Sequence, residues 1–214
     1  MEMANIHLHN VMYFTVTSLA LVLMPGPNTL YVLSRGITQG RKAAVISAFG
    51  ASTGDLLYAL FAALGLVVVL QQSAMLYDVI KTCGAAYLLL IGIQTIKSKG
   101  SLTENVELTK ETTITKMFMK GFLTSALNPK TALFFMSFLP QFIDVNSEAA
   151  GVTMLAYGFI FFVLGLIVLI SYALLSSVVR QWLVSKQRLE QYFRWVTGTI
   201  FVALGIRMMM PEQR

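Results

Sequence analysis

Apolar residues run along this chain in six long stretches, at about 11–34, 43–69, 76–96, 118–139, 151–179 and 193–210, with polar connections between them. Each meets or approaches the roughly twenty apolar residues that an α-helix needs to cross a hydrocarbon core about 30 Å thick. The pattern predicts an all-α membrane protein with six transmembrane helices. Two stretches carry breakers near their middles. The first contains Met24-Pro25-Gly26-Pro27-Asn28-Thr29, and the fourth contains Leu127-Asn128-Pro129-Lys130-Thr131. Proline lacks an amide donor and clashes with the preceding turn, so helices 1 and 4 are expected to be broken there, with freed backbone polar groups facing protein or a wet cavity.

The two breakers suggest a duplication. Pro129 follows Pro27 by 102 residues, close to half the chain, and Gly84-Ala85-Ala86-Tyr87-Leu88 in the third stretch resembles Gly198-Thr199-Ile200-Phe201-Val202 in the sixth. An odd number of helices per copy makes the second copy enter from the opposite side. The expected organisation is two inverted three-helix repeats, 1–97 and 113–214, with binding groups at their interface near the bilayer midplane. The segment 98–112 between them mixes turn formers with both charges, as in Ser98-Lys99-Gly100-Ser101, and reads as a cytoplasmic linker.

Composition agrees with this class. Of the 214 residues, 56% are hydrophobic and only 12% charged, and the mean hydropathy is +0.70, a balance that a water-soluble surface does not accommodate. The first stretch is read as a retained helix and not a signal peptide. No Lys or Arg precedes it, and it runs through the prolines into Tyr31-Val32-Leu33. The lone Cys83 excludes an internal disulfide and reads as a small packing residue.

The net charge of +6 changes meaning once it is mapped. Twelve of the sixteen Lys and Arg residues lie in the connections after the first, third and fifth stretches; Lys81, Arg207 and Arg214 lie on the other side, and Lys130 falls inside the fourth stretch. By the positive-inside rule both termini face away from the cytoplasm. The basic residues therefore report orientation in a lipid bilayer, and no nucleic-acid role is assigned to them.

Charges inside the spans carry the candidate chemistry, because a charge at mid-bilayer costs at least about 2.5–3.5 kcal/mol. Asp55 lies in the middle of the second stretch. Ser47, Gly50, Ala51 and Gly54 precede it at spacings of three and four, a small-residue face for close helix packing in which Gly50 and Gly54 are the main elements. Asp55 is expected to bind a proton or a substrate ammonium, or else to serve as a structural ion pair or cap. Lys130 either pairs with Asp55, contacts a substrate carboxylate or snorkels to the interface. Asn28 and Asn128 offer neutral donors and acceptors at the two breaks, and Arg35 reads as an interfacial anchor.

Pro25-Gly26-Pro27-Asn28, Gly50 with Gly54-Asp55, Gly84-Ala85-Ala86-Tyr87-Leu88, and Asn128-Pro129-Lys130 followed by Pro140-Gln141-Phe142-Ile143 together resemble the LysE/RhtB family of amino-acid exporters, over nearly the whole chain. The resemblance implies an inner-membrane, multi-pass efflux protein for amino acids or their derivatives, such as threonine, homoserine or leucine, driven by the proton gradient. The expected mechanism has half-helix N-termini facing a substrate carboxylate, Asp55 handling the ammonium or the proton, and the repeats rocking about the site. A gradient-driven channel and an exporter of other solutes remain the alternatives. No enzyme chemistry is expected, since Asp55 has no second carboxylate, His or nucleophile at its depth. Neither a metal nor a cofactor is expected, and homo-oligomerisation stays open.

Overall fold

The computed structural model describes residues 2–24, 26–66, 74–97, 113–144, 146–176 and 187–210, and these are helical with no strand among them. Pro25, the linker 98–112 and the cations Lys99, Lys110, Arg180, Lys186 and Arg214 lie outside the described residues. In chain order the α-helices are α1 (Glu2–Leu23), α2 (Pro27–Gln39), α3 (Arg41–Phe61), α4 (Ala74–Lys97), α5 (Ile114–Ala126), α6 (Pro129–Leu133), α7 (Ala150–Leu174) and α8 (Gln187–Met209). A π-helical turn, Ala62–Leu66, extends α3; a second, Phe134–Phe138, and a 3-10 turn, Leu139–Phe142, extend α6.

The first stretch is thus two helices, α1 and α2, bent by 51°. Proline at the first position of α2 suits a helix start, where its missing N–H has no intrahelical partner to lose. The helix then runs on to Gln39, beyond the end near residue 34 expected from hydropathy. Gly40 alone separates α2 from α3 at φ 85°, the left-handed region that glycine enters without penalty.

Two described helical segments, Arg41–Gly65 and Ala150–Leu174, are long and apolar enough to cross a membrane by themselves, and the bent α1–α2 pair makes a third. The fourth stretch falls short as one helix because its break leaves only 13 residues in α5. Thr113 starts that helix, its side chain accepting from the Lys116 amide.

The apolar and polar surfaces are arranged for lipid. Large apolar side chains such as Leu64, Met75, Leu127 and Val152 are exposed, while Ser18, Ser47, Ser52, Ser125 and Asn128 are buried. The interior has two apolar clusters. One is aromatic: Phe14, Phe134, Phe135, Phe138, Tyr157 and Phe161 meet ring to ring. The other is built from Val32, Ala44, Ala48, Ala51, Leu169 and Ala173, whose four alanines let α2, α3 and α7 close on one another.

Two sequence expectations are corrected. Arg35 is only 1% exposed, its guanidinium donating to Gln39 Oε1 at 2.9 Å and lying 5.0 Å from the Tyr31 ring centre. It is an interior residue of α2 and not an interfacial anchor, because α2 continues past it for another turn. Cys83 is exposed on α4 instead of packed inside.

Candidate functional site

Close packing of α3 on α5 puts the buried carboxylate of Asp55 beside the second helix break. A methyl group on Gly54 would stand 2.6 Å from the Phe122 carbonyl oxygen and 2.8 Å from Ser125 Cβ, and one on Gly50 would run into the Phe118 carbonyl. Gly121 on α5 faces the same way, 2.5 Å from the Ser47 carbonyl oxygen by the same measure. These three glycines bring the backbones together, and Ser125 Oγ then donates a hydrogen bond to Asp55 Oδ1. Asp55 is 4% exposed and Ser125 is fully buried.

From Ser125 the polar network runs to both breaks. Asn28 Nδ2 donates to Ser125 Oγ at 3.0 Å, and Asn128 Nδ2 approaches Asn28 Oδ1 at 3.5 Å. Asn128 also caps α6, its Oδ1 accepting from the Lys130 amide at 3.0 Å, while its own amide donates to the Ser125 carbonyl at 2.8 Å. The Tyr58 hydroxyl donates to the Ala126 carbonyl at 2.6 Å, at the end of α5. The Asn-Pro pair thus breaks the helix without leaving these backbone groups unpaired.

Of the three geometries expected from sequence, Lys130 shows neither the pair with Asp55 nor the snorkel to the interface. Its Nζ donates to the carbonyls of Leu21 at 3.1 Å and Met24 at 3.2 Å, at the C-terminal end of α1. Helix ends leave such carbonyls without intrahelical donors and carry partial negative charge, so an ammonium is well placed there. Gly26 makes room for it, since a methyl group there would lie 3.2 Å from Nζ. The long side chain reaches across the first break and ties it to the second, instead of snorkelling or forming a direct pair with Asp55.

Asp55 and Lys130 nevertheless line one cavity, together with Gly26, Asn28, Thr29 and Thr131 on a polar wall and Leu21, Val22, Phe161, Gly165 and Leu169 on an apolar one. Its volume of about 20 Å³ admits roughly one water-sized molecule. In the described conformation the cavity is too small for an amino acid. The first turn of α2 opens onto this cavity with no side-chain cap at Gly26, so the amides of Asn28 and Thr29 keep donor capacity. Among the described residues no group of three His, Cys, Asp or Glu side chains could hold a metal ion.

The structure therefore brings together Asp55, Asn28, Asn128 and Lys130, with Gly26 and Pro27 at the first break and Pro129 at the second. Sequence reasoning missed Ser125, which joins Asp55 to Asn28, and also Thr131, Tyr58 and the α7 wall of Phe161, Gly165 and Leu169. Ser125 and Thr131 had one signal, their places flanking Asn128-Pro129. The α7 residues had none, being apolar or small residues in an apolar stretch.

Residues 19–212, which include this whole site, match the profile of the family described as LysE type translocator. The chain belongs to that family. It is 29% identical to the uncharacterized membrane protein YrhP of Bacillus subtilis (strain 168), over 94% of this chain and 98% of the relative. It is also 29% identical to the leucine efflux protein of Salmonella typhimurium (strain LT2), over 93% and 94% of the two chains, and 28% identical to that of Klebsiella pneumoniae, over the same shares. No solved structure matches. Both helix breaks and Asp55 fall within the LysE-type region, which marks this as a membrane transporter and not an enzyme.

Proposed function

We propose that this LysE-type chain exports an amino acid from the cytoplasm across the inner (plasma) membrane, exchanging it for a proton at Asp55. The observation that carries the reading is the hydrogen-bonded path from Asp55 through Ser125 and Asn28 to Asn128, which joins a buried carboxylate to both helix breaks. Leucine is the first cargo to test, because relatives of matching length are named leucine efflux proteins.

The cavity holds about one water as described, and once widened its lining suits the two charges and one apolar side chain of such a cargo. Its α-carboxylate is received by the uncapped first turn of α2 and by the Lys130 ammonium, its α-ammonium by Asp55, and its side chain by the wall of Leu21, Val22, Phe161 and Leu169. A carboxylate buried this deeply is costly without a partner. Either an ammonium or a proton relieves that cost, and alternation between the two is antiport.

Two features support the inverted-repeat reading, with 1–97 and 113–214 as the units and 98–112 as the cytoplasmic linker. The two breaks meet at their asparagines, Asn28 beside Asn128. Helices α4 and α8, one from each half, pack closely along their lengths: a methyl group on Gly92 would stand 2.8 Å from the Gly198 carbonyl oxygen, and one on Gly205 would stand 2.9 Å from that of Ala85. In this reading six helices cross the bilayer, and rocking of the halves widens the small cavity and opens it to each side in turn.

The test is release of amino acids from cells preloaded with dipeptides, comparing wild type, Asp55→Asn and an empty vector at matched membrane abundance. Wild type is expected to speed release of leucine-class amino acids, and Asp55→Asn to reduce that release by at least about tenfold. Export by the variant at the wild-type rate would remove Asp55 from the mechanism. Flux in the wild type that follows the electrochemical gradient with no proton movement would make the protein a channel.

A further inference from the structure

Most buried glycines of this protein are explained by packing, and Gly165 is not. At Gly36, Gly50, Gly54, Gly84, Gly92, Gly121, Gly158, Gly198 and Gly205, an added methyl group would come within 3.0 Å of a neighbouring atom. At Gly165, on the buried face of α7, the nearest atoms would be Asp55 Oδ2 at 3.6 Å and Ser52 Oγ at 3.9 Å, ordinary van der Waals distances. Alanine would therefore fit and is the better helix former. The chain instead leaves an opening of methyl size beside its buried carboxylate, on the wall of the cavity.

The second observation is Ser52. It lies one turn before Asp55 on the buried face of α3, is fully buried, and its Oγ has no hydrogen-bond partner. A buried hydroxyl without a partner calls for a reason. The opening at Gly165 has an unengaged hydroxyl oxygen on one side and a carboxylate oxygen on the other. Ser125 bonds Asp55 at Oδ1, the Thr131 side chain also hydrogen-bonds the carboxylate, and Oδ2 is the oxygen that faces Gly165. The nearby Lys130 ammonium donates to the α1 carbonyls and bears on Asp55 through its charge.

We infer that the opening bounded by Gly165, Ser52 and Asp55 Oδ2 seats the α-ammonium group of the cargo. An ammonium group carries three donors and no acceptor, which matches two oxygens converging on a space with no methyl in it. Gly165 is then kept because any side chain there occupies the seat, and Ser52 because it accepts the second hydrogen bond. The inference rests on the export reading above and deepens it by making a free α-ammonium the feature that the site selects.

The experiment uses inside-out vesicles from cells expressing the full chain, with labelled leucine as probe and with unlabelled leucine or 4-methylpentanoate, its analogue without the ammonium group, as competitors. Ser52→Ala is expected to raise the half-saturating leucine concentration by about tenfold with the maximal rate held within about twofold, and to narrow the preference for leucine over 4-methylpentanoate by a similar factor. Gly165→Ala is expected to lower uptake by at least about tenfold at unchanged abundance and melting temperature. Wild-type half-saturation and wild-type competitor preference in Ser52→Ala would overturn the inference. So would a Gly165→Ala protein that moves smaller amino acids well and keeps its preference for the ammonium-bearing competitor, since the opening would then hold the cargo side chain. Wild-type vesicles that take up no amino acid would overturn the export reading itself, a result separate from either variant's.

Discussion

Glycine has two opposite uses in this protein, and substitution separates them. At Gly54 the space for a methyl group is already filled by the Phe122 carbonyl and Ser125 Cβ, so Gly54→Ala must push α3 and α5 apart. The expected cost is about 1–3 kcal/mol, the usual range for overpacking a well-filled contact, seen as a lower melting temperature in detergent. Gly165→Ala, with no atom within 3.4 Å of the new methyl, is expected to melt as wild type does. Equal melting of both would show that α3 and α5 have slack. Sequence alone separated these residues only partly. The spacing of Ser47, Gly50, Ala51 and Gly54 marked a packing face, and Asp55 stood out as a charge in an apolar stretch, because both signals are local. Ser125, Ser52 and Gly165 became visible only in three dimensions, since each draws its meaning from a residue on another helix.

At the scale of elements, the proline breaks were the most legible part of the fold. A missing amide and a ring clash are properties of the residue itself, so both breaks follow from composition, while the π-helical turns after Phe61 and Leu133 have no comparable signature. The second break is held by Asn128 as well as by Pro129. The Asn128 amide takes the Ser125 carbonyl and its side chain takes the Lys130 amide. Pro129→Ala restores a donor and removes the ring clash, which allows α5 and α6 to join into one helix and draws Asn128 away from Asn28. Transport is expected to fall by at least about tenfold with membrane abundance unchanged. Asn128→Ala removes a helix cap, with an expected loss of about 0.5–2 kcal/mol by thermal melting, together with the contact to Asn28. Wild-type efflux in Pro129→Ala would mean that the break does not position the site.

For the whole molecule, the distribution of charge and the two breaks make one demand together. If the halves are inverted copies, each with three crossings, the segment 98–112 lies in the cytoplasm and both termini lie outside it. With Arg35 set aside as interior to α2, eleven of the sixteen Lys and Arg residues fall at or beside connections on the linker side of that arrangement, the bias that sets orientation during insertion. Two described segments and one bent pair qualify as spans by length and apolarity, and α4 and α8 enter the argument through their close packing at Gly92 and Gly198. Orientation therefore tests the duplication independently of any transport assay. A reporter enzyme that is active only outside the cytoplasm should be active when fused after Arg214 and inactive when inserted in 98–112. The opposite pattern would reverse the membrane orientation. Activity of the same reporter at both places would mean an even number of crossings between linker and C-terminus, which a three-helix second repeat does not permit. In that case the contact between Asn28 and Asn128 would be a local meeting of two broken helices, without a symmetry axis behind it.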